Sequence, residues 1–87
     1  MTLKEGVSVL KAMANFKRLE ILIILSQTEM TVSDLQRRLD LSQSALSQHL
    51  AVLRKANVVK TRRQAQNIFY VLENKPIKRV LNILTKD

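Results

Sequence analysis

Cysteine and tryptophan are absent from this chain, and glycine and proline occur once each. Without thiols there is no disulfide and no nucleophilic or metal-binding sulfur. The lone glycine, Gly6, leaves no glycine-rich loop to cradle a phosphate. Histidine is also solitary, at His49, and no carboxylate pair stands at a spacing suited to acid–base chemistry. These absences speak against an enzyme. A lone His49 without cysteine or carboxylate neighbours also speaks against a metal site or any other cofactor. No apolar run approaches the ~18 residues of a membrane span, and Met1–Glu5 lacks a signal-peptide pattern. A cytoplasmic protein with no membrane partner is expected. The most telling absence is regional: from Leu41 to Leu72 there is no Asp or Glu, while Arg54, Lys55, Lys60, Arg62 and Arg63 all lie there.

A formal net charge of +8 points to a polyanionic partner. A membrane-surface helix would line its cations along one helix backed by a bulky apolar face. Here the cations spread over a helix end and a predicted hairpin, which favours nucleic acid. The acid-free stretch opens with Ser42-Gln43-Ser44-Ala45-Leu46-Ser47-Gln48-His49-Leu50, a helix start whose exposed side chains are short, neutral hydrogen-bonders. Such groups read base edges in a DNA major groove, and surrounding cations hold phosphates. Positions 43, 44, 47 and 48 fall on one helical face, opposite Leu46, Leu50 and Leu53.

The 87 residues are read as one small domain, residues 1–87, near the lower end of what folds alone. Leu3, Val7, Leu10 and Met13–Ala14 recur at helical spacing, and Asn15 breaks that first helix. Phe16 to Gln27 predicts a central helix, although Ile21-Leu22-Ile23-Ile24-Leu25 taken alone also fits a buried strand. Thr31 is an N-cap candidate, with Asp34 reaching back in a shortened capping box. Val32, Leu35 and Leu39 form the stripe of that third helix. After a tight turn at Asp40–Leu41, Ser42 caps the fourth. Two short helices so joined make a helix-turn-helix. Val58–Arg63 and Ile68–Leu72 then alternate like strands of a hairpin with a polar tip. Without glycine there, a two-residue turn requires Asn67 to take positive φ. A last helix starts near Asn74–Pro76, with Ile77, Val80, Leu81 and Leu84 as its stripe and Ile83 widening it. The expected fold is mainly α with a β-hairpin wing: four helices, hairpin, helix, a winged helix-turn-helix.

Leu10-Lys11-Ala12-Met13-Ala14-Asn15 with Arg18-Leu19-Glu20-Ile21-Leu22 resembles the opening of ArsR-type winged-helix transcriptional regulators. Residues 42–54 resemble their recognition helix, and Phe69-Tyr70-Val71-Leu72 the end of their wing. The Ser-Gln-Ser-Ala-Leu-Ser-Gln-His run and Ala65-Gln66 look most like the HlyU and persulfide-sensor branch. The resemblance implies a homodimer built from the first and last helices, through Leu3, Val7, Leu10, Ile77, Val80, Leu81 and Leu84. It implies double-stranded DNA as partner, with a pseudo-palindromic operator read by Gln43, Ser44, Ser47 and Gln48. Backbone contacts fall on Ser42, His49, Arg54, Lys60, Arg62, Arg63 and Gln64. Alternation sends Arg62 and Arg63 to opposite faces of the wing, so only one of them meets DNA squarely.

The departures from the family are equally specific. Many members bind metal through a Glu-Leu-Cys-Val-Cys-Asp-Leu segment, which here reads Glu29-Met30-Thr31-Val32-Ser33-Asp34-Leu35, with hydroxyls in place of thiols. Residues 76–86 lack the His and carboxylates of the other metal-binding members, and the two cysteines of the persulfide sensors are missing. Phe16 stands where the family usually has proline. No inducer follows from the residues, nor does repression against activation. Two rival roles stay open: a winged-helix module for an acidic protein, and a non-specific architectural binder of nucleic acid.

Overall fold

A computed structural model describes residues 1–86. The Thr2 hydroxyl accepts the Glu5 N–H at 3.1 Å and the Glu5 carboxylate accepts the Thr2 N–H at 3.0 Å, a reciprocal capping box that opens α1 (Leu3–Met13). Hydrogen bonds from the Thr2 backbone and then its side chain hold the Glu5 carboxyl below the usual carboxylate range. A carboxyl lowered in this way favours the folded state above the ordinary carboxylate range and loses that contribution as pH falls through the lowered value.

Asn15 ends α1 and caps α2 (Phe16–Gln27), its Oδ1 accepting the Arg18 N–H at 3.0 Å. The apolar run 21–25 is helical, with Ile21, Leu22, Ile24 and Leu25 buried and Leu19 and Ile23 packed on the core. Its nearly all-round apolar surface is that of a central helix. Thr31 caps α3 (Val32–Arg38) by accepting the Asp34 N–H at 3.1 Å. The Asp34 carboxylate takes its bond from Arg37 at 3.3 Å instead of completing the expected box. Aspartate is one methylene shorter than the glutamate such a box uses.

The fourth helix, α4 (Gln43–Lys55), buries Leu46, Leu50 and Leu53 completely. It ends on Asn57, at φ 60°, with the Asn57 N–H on the Arg54 carbonyl at 3.0 Å and the Val58 N–H on the Leu53 carbonyl at 2.9 Å. That is a Schellman closure with asparagine in the glycine position. Replacing Asn57 with alanine leaves the left-handed backbone without the side chain that tolerates it, at a cost of about 1 kcal/mol. The thermal midpoint of N57A is expected to fall by ~4–8 °C in calorimetry, while N57G holds it or raises it.

The wing pairs β1 (Lys60–Gln64) antiparallel to β2 (Asn67–Val71), in register from Lys60↔Val71 to Gln64↔Asn67. Val58 and Val59, expected in the first strand, precede it and sit in the core. Pairing Gln64 with Asn67 leaves a two-residue tip, not expected here unless Asn67 takes positive φ; the positive φ falls on Ala65 (56°) instead. Only two residues remain to reverse the chain, and alanine has the smallest side chain that carries a Cβ. Met30 extends the sheet through a bridge to Tyr70, with N–H to carbonyl distances of 3.2 and 2.7 Å.

Asn74 caps α5 (Lys75–Thr85), with Pro76 in its first turn. The element order is that expected from the sequence: four helices, hairpin, helix. The face of α5 differs in part from expectation. On α1, Val9, Ala12 and Met13 turn inward, and Leu3, Val7 and Leu10, expected at the dimer interface, stay exposed. Ile77 and Leu81, expected at an interface, are only 3% exposed and belong to the core, because they are the inward-facing pair of α5. Leu3, Leu10, Ile83 and Leu84 stay 87%, 59%, 71% and 62% exposed, with Val7 and Val80 also exposed. Each of the two helices therefore carries one packed face and one bare apolar face.

Candidate nucleic-acid interface

The turn from Leu39 to Ser42 joins α3 to α4, and both helices lay their leucines against the same core. Ser42 accepts the Ala45 N–H at 3.1 Å, fixing where α4 begins. With Leu46, Leu50 and Leu53 at 0% exposure, rotation of α4 about its axis is fixed. Gln43, Ser44, Ser47 and Gln48 are exposed, on the face opposite these leucines. Amides offer a donor and an acceptor together, and hydroxyls either one, which is the chemistry of base-edge readout.

His49, on the same helix, is half-buried, and its Nδ1 lies 3.3 Å from a terminal guanidinium nitrogen of Arg18. The Arg18 Nε–H donates to the Ala12 carbonyl at 2.5 Å. A guanidinium only donates, so in this contact Nδ1 is on the accepting side. One arginine thus links the end of α1, the start of α2 and the recognition helix. The sequence does not show this link, since its partners lie 31 positions apart.

The cations expected on the DNA backbone fall into two groups. Arg54, Lys60 and Arg63 are exposed and have no carboxylate partner among the described residues. Arg54 and Lys60 border one shallow cleft at the end of α4. Arg62 differs: it forms an ion pair with Glu29, donates to the Gln64 side chain at 3.0 Å, and lies 4.9 Å from the centre of the Phe69 ring. Of the two wing arginines, Arg63 is the one left free. Gln64, expected on a phosphate, is bonded to Arg62.

In the segment Glu29–Leu35 the two hydroxyl side chains differ in their surroundings. The Thr31 hydroxyl is taken up by the α3 cap, and Ser33 is exposed. Among the described residues no group of three or more His, Cys, Asp and Glu side chains comes together. No helix of the structure is long and apolar enough to cross a membrane.

Residues 16–61 match the model for bacterial regulatory proteins of the arsR family. The chain belongs to that family. It is 50% identical over 80 residues to the transcriptional activator HlyU of Vibrio cholerae, covering 92% of this chain and 74% of HlyU. It is also 50% identical over 76 residues to the nodulation protein NolR of Rhizobium meliloti, covering 87% of this chain and 62% of NolR. The solved HlyU structure from Vibrio cholerae superposes with a TM-score of 0.85 at 49% identity, covering 93% of this chain and 88% of that one. The repressor PagR of Bacillus anthracis superposes at 0.89 with 32% identity, covering 95% of each chain. This ArsR-family chain is therefore a winged-helix, DNA-binding transcriptional regulator and not an enzyme.

Proposed function

We propose that the protein acts in the cytoplasm as a homodimer that reads a pseudo-palindromic operator. The single observation that carries this is the exposed amide and hydroxyl face of α4, locked in orientation by three fully buried leucines and bordered by cations that have no carboxylate partner among the described residues. Gln43, Ser44, Ser47 and Gln48 read bases, while Arg54, Lys60 and Arg63 hold phosphates. The first N–H groups of α4 have no partner within the helix, and they supply a further phosphate contact beside Ser42. Dimerisation is supported by the bare apolar faces of α1 and α5, since contiguous exposed apolar surface marks a contact site. Two recognition helices about one turn of DNA apart, ~34 Å, then meet successive major grooves. Both an activator and repressors occur among the relatives. On this proposal the direction of control follows from where the operator lies relative to the promoter.

Selection from a random duplex library, followed by anisotropy titration across salt concentrations, tests the proposal. An inverted repeat preferred over random DNA by ~10³-fold or more is expected. Binding that is steep in salt but indifferent to sequence overturns it in favour of an architectural role. A tight acidic-protein partner that survives nuclease treatment, without any preferred DNA, overturns it in favour of a protein-docking module. Within the same assay, Arg63→Ala should weaken every duplex alike and reduce the salt slope by about one.

A further inference from the structure

Among the described residues Arg62 is the one wing cation with a carboxylate partner. One arm of the guanidinium meets the Glu29 carboxylate, another meets Gln64 Oε1 at 3.0 Å, and its carbon lies 4.9 Å from the Phe69 ring centre. Phe69 is the direct cross-strand partner of Arg62, and Glu29 immediately precedes Met30, which bridges to Tyr70. The side chain therefore crosses one face of the sheet, from β1 over β2 to the segment beyond. Arg62 lies in the acid-free stretch Leu41–Leu72 and its partner Glu29 outside it, and no other wing cation has a carboxylate partner among the described residues.

We infer that Glu29 is an internal stand-in for a DNA phosphate, which withholds Arg62 from the duplex and sets how strongly the wing binds any sequence. Affinity that comes from cations on phosphates arises from counterion release, and each neutralised phosphate contributes a slope of about −0.9 in log K against log salt. A cation already neutralised by a carboxylate releases no further counterion, so the Arg62–Glu29 pair contributes little to this slope. Neither partner is buried, with side-chain exposures of 44% and 43%, so the pair sits where solvent and a phosphate can reach it. Exposed ion pairs are weak, which allows a single charge change to release the arginine without unfolding the wing.

This inference rests on the DNA-binding reading above, and four proteins separate the two: wild type, E29Q, R62A and E29Q/R62A, each checked for folding by circular dichroism. All four are titrated by anisotropy with the selected operator and with a random duplex, across salt. E29Q is expected to bind both duplexes roughly fivefold more tightly at ~0.15 M salt, the factor that one phosphate contact carries down from 1 M. Its slope should steepen by about one. R62A should leave the wild-type slope unchanged, and E29Q should have no effect on slope in the R62A background. An E29Q protein that binds with unchanged slope, or more weakly, overturns the inference. Equal steepening with and without Arg62 also overturns it, by showing that Glu29 acts through long-range repulsion alone. Wild-type protein that binds no duplex defeats the DNA-binding reading and this inference together, whereas normal wild-type binding with an inert E29Q defeats only the inference.

Discussion

With Leu10 and Leu84 both replaced by glutamate, the protein should remain folded, run as a monomer in sedimentation, and lose operator affinity by ~10² to 10⁴-fold. Leu10 and Leu84 are 59% and 62% exposed, and neither belongs to the core cluster, so the substitutions remove little packing inside the protomer. A dimer joins two half-site contacts, and the second forms at the high effective concentration that the first creates. Carboxylates facing one another across a twofold interface cannot be desolvated together, so the dimer is lost before the fold. The fold is checked by circular dichroism and the assembly by sedimentation equilibrium. A double variant that stays dimeric would show that the interface lies elsewhere.

Gln43→Ala is the second large effect, and it concerns discrimination more than affinity. A glutamine amide paired with an adenine edge contributes roughly 1–3 kcal/mol against the wrong base. The variant should therefore lose about 5- to 150-fold of its preference at one symmetric pair of positions and keep it elsewhere. Gln43 is the first residue of α4 and is exposed, so its loss leaves the Ser42 cap intact. Repeating the site selection with the variant measures this directly. A uniform weakening on every sequence would instead place Gln43 on the backbone.

What the sequence revealed is what is local. Thr31 and Ser42 each bond a backbone N–H three residues on, and such caps show in the residue order itself, whereas Asn15, read only as a helix breaker, caps α2 in the same way. The stripe Leu46, Leu50, Leu53 likewise fixes which face of α4 is outward. The Thr2–Glu5 capping box was equally local and lay in plain view at Thr-x-x-Glu. Periodicity misled at α5 for a physical reason: the helix has two apolar faces, and spacing alone does not say that Ile77 and Leu81 meet the protomer's own core. Long-range pairs were out of reach altogether. Arg18 with His49 and Arg62 with Glu29 are 31 and 33 positions apart, and only the packed fold brings them together. For the wing this mattered most: alternation put Arg62 and Arg63 on opposite faces, but only the fold shows that Arg62 is the one paired with a carboxylate.

The hairpin reverses, and the recognition helix ends, without glycine: Ala65 and Asn57 hold the two left-handed backbones. Glycine at those positions would relieve the conformational strain, yet it would also widen the range of shapes open to the chain before it folds. Side chains carrying a Cβ narrow that range at both ends of the segment that leads from α4 to the wing tip. Fixing one residue's backbone costs ~1–2 kcal/mol of entropy whenever it occurs. In this protein that ordering belongs to folding, so the wing meets its ligand already set, and docking it asks for little further loss of freedom.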